Sequence, residues 1–174
     1  MKKLLILLLI FTCTIACGNS EKTASEQTEH TIDTNLSPCD LVTEPEIKSA
    51  LSIPADAETS MNEKDTTYPI CLYKWKSVTW PFERYGHTID YAAELSIVLV
   101  NNASKSNYEA SIKVYKDGIK ENGIGEMSTW SEKKTQITFL SKGKLIHVHS
   151  RTTADAASNK AKTINLAKQI VKNI

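Results

Sequence analysis

The chain has 174 residues, and 21 Lys and Arg against 20 Asp and Glu leave a formal net charge of +1. That balance argues against a nucleic-acid binder that relies on bulk positive charge. Hydrophobic residues at 41% and charged residues at 24% exclude a disordered or fibrous composition, and the length allows one ordinary domain.

The apolar share is uneven. Lys2 and Lys3 precede the run Leu4 to Phe11. This is the charged start and short apolar core of an export signal, too short to span a bilayer comfortably. Thr14-Ile15-Ala16-Cys17 then resembles the lipobox of bacterial lipoproteins, with Thr14 where Leu is usual. The resemblance implies a signal peptide over 1–16 and acyl chains on Cys17, which becomes the new N-terminus. An ordinary cleaved signal with a free product is the alternative. Each buried CH2 contributes about 0.8 kcal/mol, so two chains anchor a protein stably without crossing the membrane. Gly18 resembles the position after the cysteine in lipoproteins released to the outer membrane of a Gram-negative host. Without Lys2 and Lys3, 19 basic residues face 20 acidic ones, so basic attraction to anionic lipid is not the expected membrane hold.

Residues 17–38 carry the lipid-bearing cysteine and a polar stretch with almost nothing to bury, which predicts a disordered tether. His30 within it reads as a solvated bystander. Residues 39–174 are expected to form a single α+β domain. Cys39 and Cys71 are its only cysteines. In an exported chain an even pair reads as a disulfide, and no C-x-x-C spacing supports the alternative of a metal or redox thiol pair.

Thr43-Glu44-Pro45-Glu46 fits a capping box, with Ile47, Ala50 and Leu51 as the apolar face of a short helix. Residues 52–69 read as loop. From Ile70 to Val78, Cys71, Tyr73 and Trp75 alternate with Leu72, Lys74 and Lys76, which predicts a strand with the cysteine and both aromatics on one face. Trp80, Phe82, Arg84 and Tyr85 then fall in a predicted loop. They form either an interaction surface or a loop folded back to finish the core.

Ala93 to Val100 reads as a central strand and Ser106 to Ile119 as a helix. Gly123-Ile124-Gly125 lacks the remaining glycine and Lys of a phosphate loop and reads as a helix stop before a strand. Strands are expected over Met127–Trp130, Gln136–Leu140 and Leu145–Ser150, and Asp155 caps a helix to about Lys172. The order is α-ββ-α-βββ-α, an α+β fold with an antiparallel sheet of about five strands covered by helices.

The lipobox, Cys39-Asp40-Leu41-Val42-Thr43, Cys71-Leu72-Tyr73-Lys74-Trp75, the stretch Gly123 to Trp130 and the terminal amphipathic helix together resemble a family of small bacterial lipoproteins of unknown function, described from actinobacteria. The resemblance covers residues 39–174 and implies a sandwich similar to the PsbP family. It transfers no catalytic residue.

His147 and His149 stand two apart on a predicted strand, so both rings point to one side, a geometry compatible with a shared metal. His87 is the only other histidine in the domain. No G-x-S-x-G elbow is present, and the paired acids sit beside caps and turns. The expected role is a non-enzymatic binding or interaction domain at the cell envelope with no cofactor. It would be held on the membrane through Cys17 and would contact a protein, glycan or small ligand, but not nucleic acid. The alternatives are a metal-binding or hydrolytic envelope protein using His147 and His149 and, more weakly, an inhibitor or immunity protein.

Overall fold

The structure is a computed structural model and describes residues 36–174. The expected signal, Cys17 and most of the tether lie outside the described residues. Leu36 already packs against the core and Pro38 is buried, so packing begins ahead of the expected boundary at 39.

Three helices and seven strands follow: α1 (Glu44–Leu51), β1 (Ser60–Lys64), β2 (Ile70–Arg84), β3 (His87–Val100), α2 (Lys105–Ile112), β4 (Ile119–Lys120), β5 (Met127–Ser131), β6 (Gln136–Ser141), β7 (Lys144–Arg151) and α3 (Ala156–Asn173). The strands form one antiparallel sheet in the order β1-β2-β3-β7-β6-β5-β4. The fold class is thus α+β with an antiparallel sheet, and the sheet holds seven strands where about five were expected.

Alternation decides which face is buried. Cys71, Tyr73 and Trp75 on β2, Leu95, Ile97 and Leu99 on β3, Ile146 and Val148 on β7, and Ile137 and Phe139 on β6 build the core with α1 and α3. In α1 the Thr43 N–H and hydroxyl both donate to the Glu46 carboxylate, and Ile47 and Leu51 are fully buried. In α3 the Asp155 carboxylate accepts from the Ser158 N–H, and Leu166, Ala167 and Ile170 are fully buried. The Cys39–Cys71 disulfide, with Cα atoms 5.2 Å apart, ties the segment before α1 to β2.

Three elements depart from expectation. β1, Ser-Met-Asn-Glu-Lys, is exposed at every position, so it carries no apolar alternation to betray a strand. The predicted aromatic loop is the outer half of a long hairpin. β2 bulges between Trp75 and Thr79, then pairs with β3 from Thr79 to Arg84, and Tyr85-Gly86 closes the turn with φ of 52° and 76°. Pro81 is tolerated there because β1 pairs β2 only as far as Lys74, which leaves that edge without a strand partner among the described residues. The helix expected over 106–119 ends at Ile112. Its continuation is drawn into β4 because the Asp117 carboxylate accepts from the Lys133 N–H at 2.8 Å and the Ser131 hydroxyl at 2.9 Å.

The glycine pair forms the corner between β4 and β5 and does not stop a helix. Gly125 has φ +58°, and a Cβ there would lie 2.3 Å from the Leu140 carbonyl oxygen, so close backbone approach requires glycine.

Candidate functional site

The second face of the sheet is only partly covered. α2 lies over one end of it, where Tyr108, Leu140, Leu145 and Ala103 make a small separate core and the Tyr108 hydroxyl bonds the Thr129 hydroxyl at 2.6 Å. Among the described residues, no helix lies over the half built from β1, β2 and β3 on this face. Strand register sets its side chains in rows. Ser60, Lys74, Glu94 and Arg151 stand across from one another in one row, and Asn62, Leu72, Ser96, His149 and Gln136 in the next. A depression of about 350 Å³ lies over these rows, lined by Ser60, Asn62, Leu72, Lys74, Glu94, Ser96 and His149 among others.

At its floor the polar groups engage one another. The His149 Nδ1–H donates to the carbonyls of Lys134 at 2.9 Å and Thr135 at 3.0 Å. Its Nε2 stands 3.6 Å from Glu94 Oε1, which also accepts the Tyr91 hydroxyl. The contact with His149 holds the Glu94 carboxyl below its usual range against the opposing pull of burial. The same contact raises His149. Burial, with the Glu94 carboxylate beside it, raises the Tyr91 phenol.

His147 differs although it shares the face. Its Nδ1 bonds the Thr138 hydroxyl at 2.7 Å, and that hydroxyl also meets the Tyr115 hydroxyl at 2.6 Å. Burial lowers the ring to about 4, so it is neutral at neutral pH. The two histidines thus lie on one face as expected, opposite the buried Ile146 and Val148. Each, however, turns its Nδ1 to a different partner. Among the described residues no group of three or more His, Cys, Asp or Glu is placed to hold a metal ion.

The four aromatic-loop candidates are not brought together. Trp80 is 8% exposed and packs on Tyr91 with ring centroids 5.2 Å apart. Phe82 packs on Tyr91 at 5.4 Å, and the Arg151 guanidinium lies 5.0 Å from its ring centroid. Arg84 and Tyr85 sit at the hairpin tip, where Tyr85 is 89% exposed. The segment therefore folds back to finish the core at Trp80 and is free only at its turn.

Sequence reasoning missed Lys74 and Glu94 as site residues. A signal was present: Glu94 and Ser96 are the only polar residues of Ala93 to Val100, and alternation places both opposite Leu95 and Ile97. Among the described residues no helix is long and apolar enough to cross a membrane. No family model matches the chain, and no curated protein or solved structure matches it either.

Proposed function

We propose that the protein is a lipid-anchored bacterial lipoprotein of the cell envelope whose folded domain acts by binding, through the uncovered half of its sheet. Acyl chains on Cys17 would hold it on the membrane, in a Gram-negative host the outer membrane, and the polar stretch after Cys17 would carry the domain clear of the headgroups. This reading keeps the resemblance to the small bacterial lipoproteins with a PsbP-like sandwich. The partner is an envelope protein, glycan or small ligand.

The depression over Lys74, Glu94 and His149 is the observation that carries the binding role. Its floor supports binding more than turnover. Glu94, His149 and Tyr91 are spent on one another, and the groups left facing outward are the Lys74 ammonium, the hydroxyls of Ser60 and Ser96 and the Asn62 amide. The aromatic segment is the weaker candidate, because its largest side chain is in the core. The metal or hydrolytic alternative has only His147 and His149, without a third ligand beside them among the described residues.

Affinity capture from envelope extract with the full chain tests the binding face. Lys74→Glu and Ser96→Tyr are expected to lose a partner that wild type and Tyr85→Ala both retain. Equal recovery of every partner by all four proteins would remove the depression as the binding surface.

A further inference from the structure

His149 occupies an unusual position for an imidazole. Nδ1 faces two backbone carbonyls at 2.9 and 3.0 Å, and Nε2 faces a carboxylate oxygen at 3.6 Å. Carbonyls and carboxylates only accept hydrogen bonds. A neutral ring has one proton, so in this setting it must leave a nitrogen lone pair facing an acceptor lone pair. At 3.6 Å the approach of Nε2 to the carboxylate is an ion-pair distance rather than a hydrogen bond, and only the doubly protonated ring makes it attractive while still donating from Nδ1.

We propose that His149 is a proton-operated latch across the sheet. As imidazolium it ties Glu94 on β3 to the Lys134–Thr135 turn between β5 and β6. On losing the Nε2 proton to solvent it releases the Glu94 carboxylate into the depression. This inference rests on the ring's contacts and stands without the binding role proposed above.

The groups around the latch fit that assignment. Glu94 also accepts the Tyr91 hydroxyl, which remains as its partner when the histidine lets go. Lys74 on β2 stands opposite Glu94 in register and acts on it from the other side. Arg151, opposite Glu94 on β7, lies against the rings of Phe82 and Tyr91. The Lys134 ammonium is directed to the ring of Tyr115, so the turn presents His149 only its carbonyls. His147, the nearest other imidazole along β7, is neutral and bonded to Thr138 and adds no charge at neutral pH. With the latch closed, Lys74 and His149 together outweigh Glu94. With it open, Lys74 and Arg151 are left with the Glu94 carboxylate, and the imidazolium charge is gone. Proton loss thus removes one positive charge from the floor of the depression and makes it less receptive to anionic groups.

Solution NMR on the full chain, with ring resonances assigned through His149→Gln, reads the latch directly. The expected result is a His149 ring protonated on both nitrogens, with a deprotonation midpoint above the ordinary imidazole value of about 6.5. The through-space contact between the His149 and Glu94 side chains should disappear above that midpoint. In Glu94→Gln the midpoint is expected to fall toward or below the ordinary value. A wild-type midpoint at or below about 6.5 would overturn the proposal, as would a midpoint unmoved in folded Glu94→Gln. If that variant does not fold, the wild-type midpoint decides alone.

Discussion

His147 and His149 show how little a side chain's name says about its chemistry. Two residues apart on one face of β7, the first is neutral because burial lowers it to about 4, and the second is raised by the carboxylate beside it. Their linkage to stability runs in opposite directions. In the unfolded chain His147 takes up its proton near 6.5, whereas in the fold it resists down to about 4. Its contribution is therefore full above about 6.5 and is lost as pH falls from there toward 4. His149 contributes below the ordinary value and loses that contribution as pH rises through its raised one. Glu94 contributes above the ordinary carboxylate range and loses it as pH falls. Denaturation midpoints of wild type and His147→Gln between pH 7 and pH 4 check the first statement. Wild type should lose on the order of 2 kcal/mol more than the variant over that interval, after allowance for the solvent that reaches the ring. Parallel losses would contradict it. Gly125 makes a second residue-scale case. Gly125→Ala should destabilise by at least 1–3 kcal/mol, since it combines a left-handed backbone with a Cβ pressed onto the Leu140 carbonyl, whereas at Gly123 nothing lies within 4 Å of a Cβ. Chemical denaturation of Gly125→Ala beside Gly123→Ala separates the steric cost from the backbone cost, and equal losses would show that no such contact exists.

At the scale of elements, periodicity revealed what buries a face and missed what does not. α1, α3, β6 and β7 were legible because their apolar positions recur at helical or alternate spacing. β1 was not, because all five of its side chains face solvent. The β2–β3 ribbon was misread at Pro81, since proline marks a loop only where its missing N–H would be needed, and a free sheet edge does not need it. α2 was overextended because Tyr115 keeps helical spacing while bonding Thr138 from a turn. The ribbon's two ends should respond differently to mutation. Trp80→Ala is expected to cost about 3–5 kcal/mol as a large core deletion, and Tyr85→Ala within about 0.5 kcal/mol of nothing. Urea midpoints of both variants check this, and similar losses would place Trp80 outside the core. The candidate site was the least legible part, because strand pairing rather than sequence spacing brings Glu94 opposite Arg151 and beside His149.

For the molecule as a whole, β3 and β7 join two meanders into one sheet, with α1 and α3 closing one face and α2 closing part of the other. The disulfide fastens the start of the packed chain to this sheet, and Asn173 near the end of α3 donates to the Leu41 carbonyl, so both ends are held against the same core. The cysteine pairing followed from sequence because only two cysteines were left after the export segment. On the chain-entropy account, closing a loop of this size contributes about 3–4 kcal/mol. Chemical denaturation of the full chain with and without reductant should show a loss of that order, and an unchanged midpoint would mean that the bond does not constrain the unfolded chain. We propose above all that this domain works from a membrane into which acyl chains on Cys17 insert. Metabolic labelling with an alkynyl fatty acid in a bacterial host, followed by envelope fractionation, tests it most directly. Wild type should carry the label and sediment with the membrane, while Cys17→Ala should lose both; unlabelled wild-type protein in the soluble fraction would contradict the account.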